Sequence, residues 1–300
     1  MAAPRLGVAL CDRLDLIRIF GPHFDATPDL RLLPPDAVTD PDAVEFALAW
    51  RPGADAFRPY RHLRGVFSIA AGTDGITASA SLPPDVPVIR LRDDDQALQM
   101  AGFAVFQVLW HHRDMAGLLA AQAAHRWKRR PGGASPARVR VGVMGLGHMG
   151  RRIARALADL GYDVASLTRR PPAPEPGVAH FTDAERAAFL GRSDILVNVL
   201  PMSDETKGML NRTLFAALPE GAALIHLGRG PQLDEDDLLA ALESGRLSGA
   251  SLDVFAAEPL PKGHPFWDHP RILVTPHIAG EPEPRAVVEN VRRHLVEAVA

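Results

Sequence analysis

The stretch that most constrains this chain lies near its middle. Residues 139–144 form a short valine-rich apolar run, followed by Gly145-Leu146-Gly147-His148-Met149-Gly150. Beyond it Ile153, Ala154, Leu157 and Leu160 recur on one helical face. Strand, glycine turn and helix in that order is the context in which GxGxxG binds a dinucleotide. Gly145 permits the tight turn. Gly147 removes a side chain where a pyrophosphate meets the backbone, and Gly150 lets helix and strand pack closely. Gly145, Gly147, His148, Met149 and Gly150 are therefore candidate cofactor-binding residues. The helix N-terminus behind them offers N–H groups to the phosphates.

A chain of 300 residues has room for two domains. Its net charge of −3 argues against nucleic acid or an anionic membrane as a partner. No apolar run reaches the length of a membrane span. Cys11 is the only cysteine, which excludes an internal disulfide and a cysteine-based metal cluster. His111 and His112 are adjacent on a helical stretch and point about 100° apart, so they are expected to be structural. No metal is expected. The first apolar run continues into Cys11-Asp12-Arg13 and reads as a strand rather than a leader, which fits a cytoplasmic protein.

The apolar runs predict an α/β fold with two Rossmann-like domains. One is a doubly wound parallel sheet for the cofactor, and the other a smaller parallel-sheet unit without a glycine fingerprint. The expected boundaries are 1–100 plus 284–300 for the substrate domain, 101–138 for an interdomain helix and linker, and 139–283 for the dinucleotide domain. In the first domain, strands are expected in 6–10, 30–33, 43–50, 66–71 and 86–91. One long helix, or two nearly collinear ones, is expected over 96–127, before the basic linker Lys128-Arg129-Arg130-Pro131-Gly132-Gly133. In the dinucleotide domain, strands are expected at 139–144, 163–167, 194–200, 222–227, 248–252 and 271–275. Helices are expected at 148–160, 182–190, 203–216 and 234–243, with a final helix over 286–300.

An NAD-binding unit usually carries an acidic residue about 20 residues beyond the fingerprint, where it accepts from the ribose hydroxyls. Here the second strand ends Ser166-Leu167-Thr168-Arg169-Arg170. Two guanidinium groups and a hydroxyl suit a 2′-phosphate better. NADP(H) is therefore expected in preference to NAD(H), with Thr168, Arg169 and Arg170 binding it.

Three later segments each place a reactive side chain just after an apolar strand, the end at which open α/β sheets bind ligands. They are Leu227-Gly228-Arg229-Gly230, Leu252-Asp253-Val254-Phe255-Ala256-Ala257-Glu258-Pro259 and Thr275-Pro276-His277. Arg, Glu and His together suit reduction of a 2-oxo acid. A guanidinium fork binds the substrate carboxylate and carbonyl. A histidine supplies the proton that the developing alkoxide needs. A carboxylate orients that histidine and holds its charge.

With these segments the chain resembles the D-isomer-specific 2-hydroxyacid dehydrogenase family, and within it the glyoxylate/hydroxypyruvate reductase A group. Phe46-Ala47-Leu48-Ala49-Trp50, Ala70-Ala71-Gly72-Thr73-Asp74 and Val199-Leu200-Pro201-Met202-Ser203-Asp204-Glu205-Thr206 also carry the likeness. The resemblance implies a flavodoxin-like substrate domain before the fingerprint, and NADPH-dependent reduction of small 2-oxo acids such as glyoxylate and hydroxypyruvate. It implies Arg229 as substrate anchor, His277 as proton donor and Glu258 as its partner. Ala71, Gly72 and Thr73 would receive the substrate carboxylate. Trp50 is a candidate for the substrate pocket, and equally for the core. Leu200, Pro201, Thr206, Leu227, Gly228 and Asp253 would line the cofactor. A homodimer through residues 96–140 is implied as well. The chain departs from the family pattern at His226, Gly228 and Gly102, where Asn, Ala or Ser, and Glu are usual.

Two other readings compete. Gly145-Leu146-Gly147-His148-Met149-Gly150 also resembles 3-hydroxyacid dehydrogenases, which carry the fingerprint near the N-terminus and use a lysine. A nucleotide-binding regulatory protein on the same scaffold is the other; an intact Arg, Glu and His argue against it.

Overall fold

The computed structural model describes residues 3–129 and 135–295. The chain divides into two compact units, 1–96 with 281–300, and 97–280. The first holds β1 (Arg5–Leu10), α1 (Leu16–Asp25), β2 (Leu30–Leu33), β3 (Val44–Ala49), β4 (Gly65–Ser68), the single turn α2 (Asp74–Thr77) and β5 (Val88–Ile89). The unit boundary falls in the first turn of α3 (Asp94–His112), which α4 (Met115–Ala123) follows. The second unit continues with β6 (Arg140–Met144), α5 (His148–Asp159), β7 (Asp163–Thr168), β8 (Val178–Thr182), α6 (Arg186–Arg192) and β9 (Ile195–Asn198). Next come α7 (Arg212–Ala217), β10 (Ala222–His226), α8 (Glu235–Glu243), β11 (Leu247–Leu252) and β12 (Ile272–Val274). The last helix, α9 (Pro284–Leu295), belongs to the first unit.

The first unit is a parallel five-stranded sheet in the order β2-β1-β3-β4-β5, the flavodoxin-like winding. α1 starts where the Asp15 carboxylate accepts from the Arg18 N–H at 2.9 Å, satisfying one of the free donors of the first turn. Its Leu16, Phe20 and Phe24 bury against Phe46 and Phe67 of the sheet. Val287, Val288, Val291 and Leu295 of α9 join that same cluster, which gives the closing helix its apolar cover.

The second unit is a parallel seven-stranded sheet in the order β12-β11-β10-β9-β6-β7-β8. The strand order reverses beside β6, so the glycine turn after β6 lies at a topological switch point, where such sheets bind ligands. Alternate residues of β6 feed opposite faces of this sheet. Val141 and Val143 enter one cluster with Ile153, Ala154 and Leu157 of α5, while Met144 enters the other.

The long helical stretch is two helices. Asp114 takes a left-handed φ of 52° and its carboxylate caps the Gly117 N–H at 3.3 Å, starting α4 afresh. Residues Ala101, Ala104 and Val108 of α3 bury in the cluster beneath β6. His111 Nε2 meets the Ser251 hydroxyl at 2.8 Å, and His112 Nδ1 meets the Tyr162 hydroxyl at 2.8 Å. The adjacent histidines thus serve two separate fastenings. Residues 130–133 of the basic linker and 296–300 of the expected final helix lie outside the described residues.

Three elements differ most from the sequence reading. Residues 178–182 form a seventh strand, β8, which the reading lacked. The helix expected from 182 starts only at Arg186, after Thr182 and Glu185 cap a short turn through bonds of 2.9 Å. The helix expected over 203–216 is helical only from Arg212. Thr206 folds the preceding segment: its hydroxyl donates to the Pro201 carbonyl at 2.9 Å and accepts from the Ser203 N–H at 2.8 Å. A local side-chain bond here outcompetes the helical pattern.

Candidate active site

The fingerprint turn is built as its letters require. Gly145 has φ of +98°, a conformation that a side chain resists. A Cβ on Gly150 would collide with the Gly145 carbonyl oxygen, so helix and turn pack closely there only because it is glycine. Gly147 is different: apart from the adjoining backbone, no atom of the described residues lies within 4 Å of where its Cβ would stand. Nothing within the fold demands glycine at this position, whereas the approach of a pyrophosphate does. His148 is exposed and Met149 half-buried in the first turn of α5. The site therefore fits a dinucleotide.

At the end of β7, Arg169 and Arg170 are exposed. The Thr168 hydroxyl donates to the Arg170 carbonyl at 2.6 Å. It shapes the turn, so its proton is committed to the backbone rather than offered outward. The loop that follows is tied back through Glu175, which pairs with Arg151 of α5 at 2.6 Å and with Arg155 at 3.6 Å. His180 Nε2 accepts from the Glu175 N–H at 3.1 Å.

Leu227 and Gly228 are buried at the end of β10, and the half-buried Arg229 follows. One guanidinium nitrogen of Arg229 donates to the Gly228 carbonyl at 2.8 Å. Leu200 and Pro201 lie just beyond β9, and their carbonyls accept from the Gln232 amide at 3.2 and 2.9 Å. Gln232 and Asn198 are fully buried under this corner, with His226. No motif marks Asn198 or Gln232. Their only sequence signal is a polar residue at the end of an apolar strand or just past it.

Glu258 and His277 come together. His277 Nδ1 lies 3.1 Å from each oxygen of the Glu258 carboxylate, and Glu258 also accepts from the Phe255 N–H at 3.2 Å. A carboxylate only accepts, so Nδ1 carries a proton and Nε2 is the nitrogen left for proton transfer. His277 has a left-handed φ of 56°, which costs a non-glycine residue about 1 kcal/mol.

Asp253 holds that turn in place. Its carboxylate accepts from the Thr275 hydroxyl at 2.6 Å and from the Ile278 and Ala279 N–H groups at 3.1 and 3.0 Å. Burial pushes the Asp253 carboxyl above the usual range, and these three donors oppose that shift. Asp253 is also a candidate cofactor-lining residue. Its carboxylate oxygens are engaged by the histidine turn, a role visible only once β11 and β12 are paired.

In the first unit, Trp50 is half-buried at the end of β3, with the Arg51 guanidinium 5.8 Å from its ring centre. Ala71, Gly72 and Thr73 form the turn after β4. The Ser68 hydroxyl shapes it, donating to the Gly72 carbonyl at 2.8 Å and accepting from the Ala70 N–H at 3.1 Å.

The model of the D-isomer specific 2-hydroxyacid dehydrogenase NAD binding domain matches residues 105–279. The chain belongs to the D-isomer specific 2-hydroxyacid dehydrogenase family. A glyoxylate/hydroxypyruvate reductase A of Serratia proteamaculans is 40% identical over 263 residues, covering 86% of this chain and 83% of the relative. Among solved structures, a family member from Xanthobacter autotrophicus Py2, in complex with NADPH and MES, superposes with a TM-score of 0.91. It is 38% identical, over 99% of this chain and 96% of that one. An NADPH-dependent glyoxylate/hydroxypyruvate reductase from Sinorhizobium meliloti, in complex with NADP and sulfate, gives a TM-score of 0.90. It is 33% identical, over 96% of this chain and 94% of that one. Like these D-isomer specific dehydrogenases, the chain is an enzyme of two Rossmann-like α/β units.

Proposed function

We propose that this protein reduces small 2-oxo acids such as glyoxylate and hydroxypyruvate to 2-hydroxy acids, with NADPH as reductant. One observation carries the reading: the Glu258–His277 pair, in which the carboxylate fixes the imidazole proton on Nδ1. NADPH, when bound, would supply the hydride for reduction at C2 of the substrate. His277 Nε2 gives its proton to the carbonyl oxygen as charge builds there, and Glu258 holds the imidazole in the orientation and tautomer this needs. The Arg229 fork anchors the substrate carboxylate and polarises the carbonyl. In the first unit, Ala71, Gly72, Thr73 and Trp50 are the proposed substrate-binding residues.

Gly145, Gly147, His148, Met149 and Gly150 take the pyrophosphate, with Arg169 and Arg170 on the 2′-phosphate. Leu200, Pro201, Thr206, Leu227 and Gly228 would line the cofactor, with Asp253 near the nicotinamide amide. The relatives from Serratia and Sinorhizobium support the substrate class by their names, and the NADPH and NADP complexes support the cofactor.

An NADPH-oxidation panel with glyoxylate, hydroxypyruvate, pyruvate and bulkier 2-oxo acids tests this directly. Turnover is expected to be fastest with the small acids. His277→Ala is expected to lower kcat by about 10²–10⁴-fold. Retained activity in that variant, or a clear NADH preference in the wild type, contradicts the reading. Tight NADPH binding without turnover across the panel favours a nucleotide-binding regulator instead.

The same proposal includes a cytoplasmic location and a homodimer through residues 96–140. Phe106, Leu109 and Leu119 are exposed on α3 and α4, and Trp127 is 96% exposed, an apolar surface that a monomer rarely leaves uncovered. Light scattering at micromolar concentration checks it: the wild type is expected at twice the chain mass and Leu119→Asp at the chain mass.

A further inference from the structure

Three polar side chains, Asn198, His226 and Gln232, are completely buried beneath Arg229. Their hydrogen bonds admit one arrangement. His226 Nε2 lies 3.0 Å from the Arg229 carbonyl, which only accepts, so the ring proton sits on Nε2. Nδ1 is then an acceptor and takes a bond from the Asn198 amide nitrogen at 3.1 Å. The second proton of that amide goes to Gln232 Oε1 at 2.8 Å, and Asn198 Oδ1 accepts from the Leu200 N–H at 3.3 Å. Gln232 Oε1 also accepts from the Arg229 N–H at 3.0 Å, while its amide nitrogen donates to the carbonyls of Leu200 and Pro201. Flipping either amide or moving the ring proton sets donor against donor. In a buried network that costs far more than a surface bond. Burial holds His226 neutral, with its pKa lowered to about 4.

We propose that Asn198, His226 and Gln232 are positioning residues that set the Arg229 backbone, held at both its N–H and its carbonyl, in register with Leu200 and Pro201. The proposal rests on the reading of Arg229 as the substrate anchor. Gly228 is part of the same device. A Cβ there would collide with Gln232 Oε1 and lie 2.8 Å from the Asn198 amide nitrogen and 3.0 Å from the Leu200 carbonyl. A side chain at 228 and the Gln232 amide in this position exclude one another. The three buried residues reach no ligand themselves; they act through the arginine.

Steady-state kinetics with hydroxypyruvate, together with NADPH titration, separates positioning from general support of the fold. His226→Phe keeps a ring but frees the Arg229 carbonyl. It is expected to raise KM for hydroxypyruvate about tenfold, with the Kd for NADPH within about threefold of wild type. His226→Gln keeps a donor near the Nε2 position and is expected to restore KM to within about threefold. Gly228→Ala is expected to raise KM in the wild type and to raise it by less in a Gln232→Ala background, where the collision with Oε1 is gone and only the closer approach to Asn198 and the Leu200 carbonyl remains, a non-additive pair. An unchanged KM in folded His226→Phe, or strictly additive effects of Gly228→Ala and Gln232→Ala, overturns the proposal. If His226→Phe does not fold, the Gly228–Gln232 cycle decides alone. Arg229→Ala distinguishes the two levels of the argument. If it leaves KM unchanged, the anchor reading fails and the proposal with it. If it raises KM while His226→Phe and the cycle do not, only the positioning role fails.

Discussion

Two strands of the same sheet, β7 and β10, are each followed within three residues by arginine, and the two ends are built in opposite ways. Beneath Arg229 lie three completely buried polar side chains, bonded to one another and to the backbone on either side. Arg169 and Arg170 are exposed on a turn shaped by one threonine hydroxyl, with ion pairs to Glu175 tying down the loop behind. The difference follows from the proposed ligands. A 2-oxo acid must be held with its reacting carbon in line for hydride, and misplacement by an ångström is costly. A 2′-phosphate lies away from the chemistry and needs charge more than fixed angles. Rigidity is concentrated where geometry decides the rate.

The most direct way to break this comparison is to keep both charges and remove the fork. Arg229→Lys is expected to lower kcat/KM for hydroxypyruvate about 100-fold, because an ammonium cannot reproduce two parallel donors. Arg169→Lys is expected to leave the Kd for NADPH within about threefold, since a point charge still serves a phosphate. Equal losses at the two positions would show that the β7 turn is as exacting as the β10 corner.

The buried corner also couples to pH, through stability. His226 and His111 are held near a pKa of about 4 by burial, against 6.5 for the ordinary group. Between those values the unfolded chain binds protons that the folded chain refuses, so stability is complete above pH 6.5 and falls as pH drops toward 4. Each histidine contributes on the order of 3 kcal/mol to that fall. Urea unfolding at pH 7 and pH 5 measures it, and His226→Asn is expected to make the pH dependence shallower by about one proton. A variant with the wild-type slope would place the titration elsewhere.

These contrasts also show what the chain's letters disclose. The glycine turn, the strand ends and the Arg229, Glu258 and His277 segments are legible because each needs particular residue types at short spacing. The fold class follows from alternating apolar runs. What stays hidden is long-range and polar. Asp253 and Thr275 meet only because β11 and β12 pair, and Gln232 reaches Asn198 across 34 positions. Strand β8 went unread because only Val178 is buried along it, so no apolar run marks it. The segment at 203–211 has a helical pattern, yet one hydroxyl at Thr206 redirects it. His226 stands out as a departure from the family pattern, but only its bonds show what it does.

The exposed arm of the comparison gives the smaller effect. Replacing Arg169 and Arg170 together by Ala is expected to raise the Kd for NADPH about tenfold at low salt and to leave NADH almost unchanged. The reason is screening. Both guanidinium groups stand in water, so their attraction for a phosphate is reduced by ions, and the loss on mutation should shrink as salt is raised. Isothermal titration of NADPH at about 0.05 and 0.5 M salt tests this, since the Debye length shortens severalfold between them. Wild type and variant are expected to converge at the higher salt. At the buried corner the Arg229→Lys loss should hardly depend on salt, because the defect there is one of geometry. If the 169/170 defect persists undiminished in high salt, the β7 turn orders its arginines as firmly as β10 orders Arg229, and the two ends are alike after all.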